Sequence, residues 1–122
     1  DSQYTTIASN PTPVANVVSQ FDKTVHVGGY YFVSVEDTTN NYYQTSELTV
    51  HYNENLDSSY LSEFSVVDTN SGLGTFGTVV NGSIVEIIFT PNPSINCQVR
   101  TLGFEISPTS EVLDIVEFND LS

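Results

Sequence analysis

The clearest pattern along the chain is an alternation of period two. In ELTVHY (47–52), Leu48, Val50 and Tyr52 fall on one side and Glu47, Thr49 and His51 on the other, which predicts a strand with one dry and one wet face. TVHVGGYYFVSVED (24–37) places Tyr31, Val33 and Val35 against Tyr30, Phe32 and Ser34, and its Gly28-Gly29 pair suggests a bulge or a bend. Tyr60 to Val67 reads as a further strand with Tyr60, Phe64 and Val66 on its apolar face. Ile95 to Ile106 carries Val99 and then Leu102, Phe104 and Ile106, a change of parity that predicts a bulge near Arg100-Thr101.

The sharpest local signal is TVVNGSIVEIIFTP (78–91). Asn81-Gly82 between two β-branched runs predicts a two-residue hairpin, in which Val80 faces Ser83, Thr78 faces Val85 and Phe76 faces Ile87. Phe76, Val85, Ile87 and Phe89 then share the core face, and Val79, Ile84 and Ile88 occupy the other, interrupted by Gly77 and Glu86. Fully burying such aliphatics is worth roughly 1.5–3 kcal/mol each, so that second strip calls for a cover. A terminal arm of the same chain and a neighbouring subunit both answer it.

Turn clusters at 37–41, 53–59, 68–72 and 90–94 separate the strands. The organisation is an all-β antiparallel sandwich, jelly-roll-like, of about six to eight strands. Residues 1–13 read as an extended N-terminal arm or linker, 14–107 as the sandwich, and 108–122 as a tail that forms an edge strand or a docked arm. A first residue Asp1, with no Met and no basic leader, suggests a processed product or a fragment.

Charge narrows the partners. Fifteen acidic residues against Lys23 and Arg100 give a net charge of −13, which argues against nucleic acid and against an anionic membrane surface. Such a surface keeps a protein soluble where salt screens self-repulsion. Cys97 is the single cysteine, so no internal disulfide forms, and it reads as a small buried hydrophobe.

Candidate chemistry is sparse. Glu36-Asp37 with Asn40-Asn41, Asn53 to Asn55 with Asp57, and Asp68 with Asn70 offer hard oxygen ligands. None has the spacing of a calcium loop, so a structural calcium ion stays an open alternative to ordinary turns. His26 and His51 lack zinc spacing, and no nucleophile, phosphate-loop or dinucleotide motif occurs. No catalytic residue and no cofactor is expected. Lys23, flanked by Asp22 and Thr24, reads as a turn residue rather than as half of an isopeptide cross-link. Tyr30-Tyr31 and Tyr42-Tyr43 suit packing, subunit contact or sugar stacking.

Taken in order, YFVSV (31–35), YQTSELTVH (43–51), SYLSEF (59–64), LGTF (73–76), NGSIVEIIFTP (81–91) and VRT (99–101) resemble a β-rich repeat of structural proteins in tailed phages that infect marine bacteria such as cyanobacteria. The likeness spans roughly residues 17–106, in a single copy. It departs from the repeat at 24–29, which lack the usual basic residues. The resemblance implies a non-enzymatic virion module, in a fibre, a whisker or a capsid-surface decoration, whose partners are itself or other virion or filament subunits. It carries no site motif.

Subunit contact is therefore expected at Val79, Ile84 and Ile88, and at the tail residues Val112, Leu113, Ile115, Val116 and Phe118. The implied location is a virion surface or the cell exterior. Two alternatives stay open: a subunit of an extracellular cellular filament or adhesin, and a carbohydrate-binding module with a host glycan as partner.

Overall fold

The computed structural model describes residues 2–108. They form eight strands and no helix: β1 (Ser2–Ile7), β2 (Asn16–Asp22), β3 (Gly28–Asp37), β4 (Tyr42–Asn53), β5 (Ser58–Asp68), β6 (Gly74–Asn81), β7 (Ile84–Pro91) and β8 (Cys97–Ile106). A five-stranded sheet in the order β1-β8-β3-β4-β5 packs on a three-stranded sheet in the order β2-β7-β6, and every pairing is antiparallel. The chain changes sheet between β1 and β2, β2 and β3, β5 and β6, and β7 and β8. This wrapping sandwich is the expected architecture. The leader residues expected as an arm include β1, an edge strand of the larger sheet with Ile7 in the core.

The core follows the alternation. Val33 and Val35 of β3, Leu48 and Val50 of β4 and Val99 of β8 face Val85, Ile87 and Phe89 of β7 and Val18 and Phe21 of β2. A shift of register between Val17 and Ser19 lets the neighbours Val18 and Ser19 both turn inward. Phe76 of β6 closes one side, its ring 4.7 Å from that of Phe89. Buried polar groups are paired. Gln44 accepts from the Leu73 N–H at 2.7 Å, and the Ser46 hydroxyl donates to Glu63 at 2.6 Å. No buried side-chain nitrogen or oxygen among the described residues lacks a partner.

Three local expectations are corrected. The hairpin corner is Gly82-Ser83, with Asn81 opposite Ile84, Val80 opposite Val85, Thr78 opposite Ile87 and Phe76 opposite Phe89. Gly82 has φ +63° and, at the first corner position, gives the turn that suits the twist of the strands. Because the slip is two residues, the two faces of the hairpin are as expected.

The Gly28-Gly29 pair makes no bulge. It pairs continuously with both β4 and β8. Nor does β8 change parity at Arg100-Thr101: its register with β1 and β3 is unbroken, so Leu102, Phe104 and Ile106 point outward. The inner positions there are Thr101, Gly103 and Glu105, because the space beneath them is filled from β3. The Tyr31 ring lies over Gly29 and Gly103, and its hydroxyl donates to Glu105 at 3.0 Å. A Cβ on Gly103 would sit 2.3 Å from the Tyr30 carbonyl oxygen and 2.5 Å from the Tyr31 ring.

At the other end of β3, Asp37 turns the chain toward β4. It accepts from the N–H groups of Thr39 and Asn40 and from the Asn40 side-chain amide, at 3.0, 3.2 and 2.9 Å. Burial pushes this carboxyl up, and the three donors outweigh it, so it is held below its ordinary value.

Two outcomes are expected on chemical unfolding. Gly103→Ala should lose about 1–3 kcal/mol or fail to fold, since a backbone carbonyl cannot step aside; wild-type stability would refute the packing described. Asp37→Asn should cost about 1–3 kcal/mol at neutral pH. The depressed carboxyl contributes stability above its unfolded-state pKa, so the gap to wild type should close as pH falls below about 4. A gap that persists in acid would show that the charge of Asp37 plays no part.

Candidate functional site

The expected contact residues divide. Val79, Ile84 and Ile88 do lie on the outer face of the three-stranded sheet, with Val79 42% exposed and the two isoleucines half-buried. Val17 joins them beside Ile88. Polar groups break the strip: Glu86 sits between Gln20 and Val79, and Ile84 between Asp22 and Asn81. The N-terminal segment does not cover them, since β1 belongs to the opposite sheet. Val112, Leu113, Ile115, Val116 and Phe118 lie outside the described residues.

A larger apolar surface occupies the outer face of the five-stranded sheet. Register aligns Leu102, Phe32, Glu47 and Phe64 across β8, β3, β4 and β5. The next outward row holds Phe104, Tyr30, Thr49 and Ser62, and the one beyond it Ile106, Gly28, His51 and Tyr60. Leu102 is 58% exposed, Phe104 59%, Ile106 51% and Phe32 45%. The bulge expected near Arg100-Thr101 would have put Leu102, Phe104 and Ile106 on the same side as Val99. The signal that finds them is the unbroken alternation of β8, once Tyr31 is known to fill the inner side.

The face is organised by its aromatic rings. Tyr30 packs against Phe104, with ring centres 5.6 Å apart, and donates its hydroxyl to Glu47. That bond, chiefly, raises the Tyr30 pKa. Arg100 stacks over the Tyr4 ring at 4.9 Å and reaches Glu36 at 3.6 Å, and Tyr43 donates to the same carboxylate at 3.3 Å. A shallow hollow of about 460 Å³ lies between Tyr4, Phe32, Arg100 and Leu102, and another of about 400 Å³ between Tyr30, His51, Tyr60 and Ile106. Both are open and largely apolar.

The remaining candidates have structural partners. Lys23 forms an ion pair with Asp57 at 2.7 Å over the Tyr52 ring, and Tyr52 also donates to Asp57, at 2.6 Å. Their shared hydrogen bond favours both charged forms, so Asp57 is lowered and Lys23 raised, and the partner of the amine is a carboxylate rather than an Asn amide. His26 meets the Phe21 ring edge-on, and Ser107 approaches its Nδ1 at 3.4 Å. Cys97 is buried, which pushes its thiol up to about 11. Asp37 and Asn53, offered as cation ligands, accept from backbone N–H groups of their own turns. Among the described residues no three His, Cys, Asp or Glu side chains gather as a metal site.

Neither a protein-family model nor a curated protein sequence matches the chain. Its fold is similar to part of a tailspike protein of the Acinetobacter phage vB_ApiP_P1, with a TM-score of 0.61 at 14% identity. That likeness covers 85% of this chain and 21% of the tailspike, so the chain spans about a fifth of its length. The tailspike of Acinetobacter baumannii phage AM24 is more distant, with a TM-score of 0.45 and 8% identity over 89% of this chain and 26% of that one. At this identity the first likeness establishes a shared sandwich fold.

Proposed function

We propose that this chain is a non-enzymatic structural module of a phage particle, part of a fibre or spike or a capsid-surface decoration, that acts by packing against neighbouring subunits at the virion surface. The observation that carries the reading is the fold shared with a segment of a phage tailspike. The apolar outer face of the larger sheet supports it. Its two carboxylates, Glu36 and Glu47, are held by Arg100, Tyr43 and Tyr30, which leaves neither placed as a free acid or base.

A second reading, a carbohydrate-binding module, draws on the exposed rings of Tyr4, Phe32 and Tyr60 on that same face. The aliphatic Leu102 and Ile106 among them favour protein contact over sugar.

Immunogold electron microscopy with antibodies against this chain, on phage particles and cells from a source that carries it, tests the choice. Gold on a tail, fibre or capsid surface is expected, together with no binding in a glycan screen. Gold confined to a cellular filament would move the chain to the filament class, and glycan binding by the isolated chain without virion labelling would favour the carbohydrate module.

A further inference from the structure

The larger sheet's outer face differs in charge from the other surfaces of the described residues. Of the ten acidic residues among the described ones, only Glu36 and Glu47 point from it, and it holds one of the two cationic residues, Arg100. Glu36 is paired with Arg100, and Glu47 accepts from Tyr30. A chain of net charge −13 thus presents one broad, nearly neutral surface of aromatic and aliphatic groups. Charge depletion with aromatic enrichment is the composition of an interface centre.

We propose that this face is where a second copy of the chain docks, sheet against sheet. The inference rests on the assembly reading and names the surface it uses. Two copies of so acidic a chain repel one another wherever their carboxylates meet, and this face is where they can approach without that cost. A cationic partner would be drawn instead to the acid-rich surfaces elsewhere. The occupant that suits this face is apolar and near-neutral, and the face itself meets that description.

Its build also suits self-pairing. Leu102, Phe104 and Phe32 form one apolar strip over β8 and β3, and Tyr60 and Phe64 a second on β5, with the polar outer residues of β4 between them. A facing copy can set strip on strip and hydroxyl on hydroxyl. Five strands at ~4.8 Å spacing and about eight residues along each give roughly 600 Å² in projection. That approaches the roughly 800 Å² per partner of a stable complex.

Sedimentation equilibrium on the full chain over a wide concentration range tests this. Mass should rise from one copy to an assembly, and more readily as salt screens the repulsion between acidic copies. Phe104→Glu and Leu102→Glu point away from the core and should fold as the parent does, while association weakens about 100-fold. Val79→Glu, on the opposite sheet, should associate like the parent.

Three outcomes would overturn the proposal: a full chain that stays single at every concentration, with the face kept by residues 109–122 or a different partner; association unchanged in Phe104→Glu; or association that weakens with added salt. A single-copy chain found on labelled virions would discard this surface and keep the virion reading. Associating copies found only on a cellular filament would do the reverse.

Discussion

One side chain decides which residues of this sandwich face the core at its crowded end. Tyr31 is almost wholly buried, laid across two positions without a side chain, Gly29 on its own strand and Gly103 on β8, with its hydroxyl bonded to Glu105. The ring fills the volume that a β-branched residue on β8 would otherwise occupy. With that side taken, the inner positions of β8 must be small or able to reach a polar partner, and Thr101, Gly103 and Glu105 are. The large apolar residues of that strand are left to the other face. Parity is the only freedom a strand has, so one filled site sets the outward direction of Leu102, Phe104 and Ile106 together.

This also explains how far the sequence could be read. β4 alternates from Gln44 to His51 and its two faces are legible, as are the two faces of the β6–β7 hairpin, because a period of two survives a slip of two residues. The slip itself was not legible. Asn-Gly and Gly-Ser corners are both good turns; the first needs positive φ at Asn81 as well as Gly82, and here Gly82 has it without Asn81 or Ser83. On β8 the shift of apolar residues from Val99 to Leu102, Phe104 and Ile106 predicts a bulge, whereas the strand keeps its alternation and turns those residues outward. Nothing near Leu102 in sequence says that the inner side is occupied, since the occupant comes from a strand some seventy residues earlier. The edge strand β1 was illegible for a simpler reason: of SQYTTI only Ile7 is buried.

Exposed apolar strips are dangerous in a β protein because sheet edges can pair without discrimination. Here edges and face are treated differently. β5, at one edge of the larger sheet, has an irregular register opposite Thr45 and Glu47, and its Ser65 sits at φ +56°, which interrupts a regular ladder. β1, at the other edge, is short. Open-ended strand addition is thus blunted while the broad face stays uncovered among the described residues. Contact through a face is selective, because side chains must fit.

The same comparison ranks the two outer faces. On the three-stranded sheet a partner would have to bury Glu86, which lies in the middle strand with Asn81 as a partner at 3.3 Å, together with Gln20 and Asp22 beside it. Taking an ionised carboxylate out of water costs more than Val79, Ile84 and Ile88 return by burial. On the five-stranded sheet the corresponding carboxylate, Glu47, already holds a tyrosine hydroxyl, and each of Leu102, Phe104, Ile106 and Phe32 leaves roughly 1 kcal/mol of burial unrealised in the free chain. The hairpin strip of Val79, Ile84 and Ile88 is therefore the weaker of the two surfaces, and the demand for a cover falls on the opposite side of the sandwich.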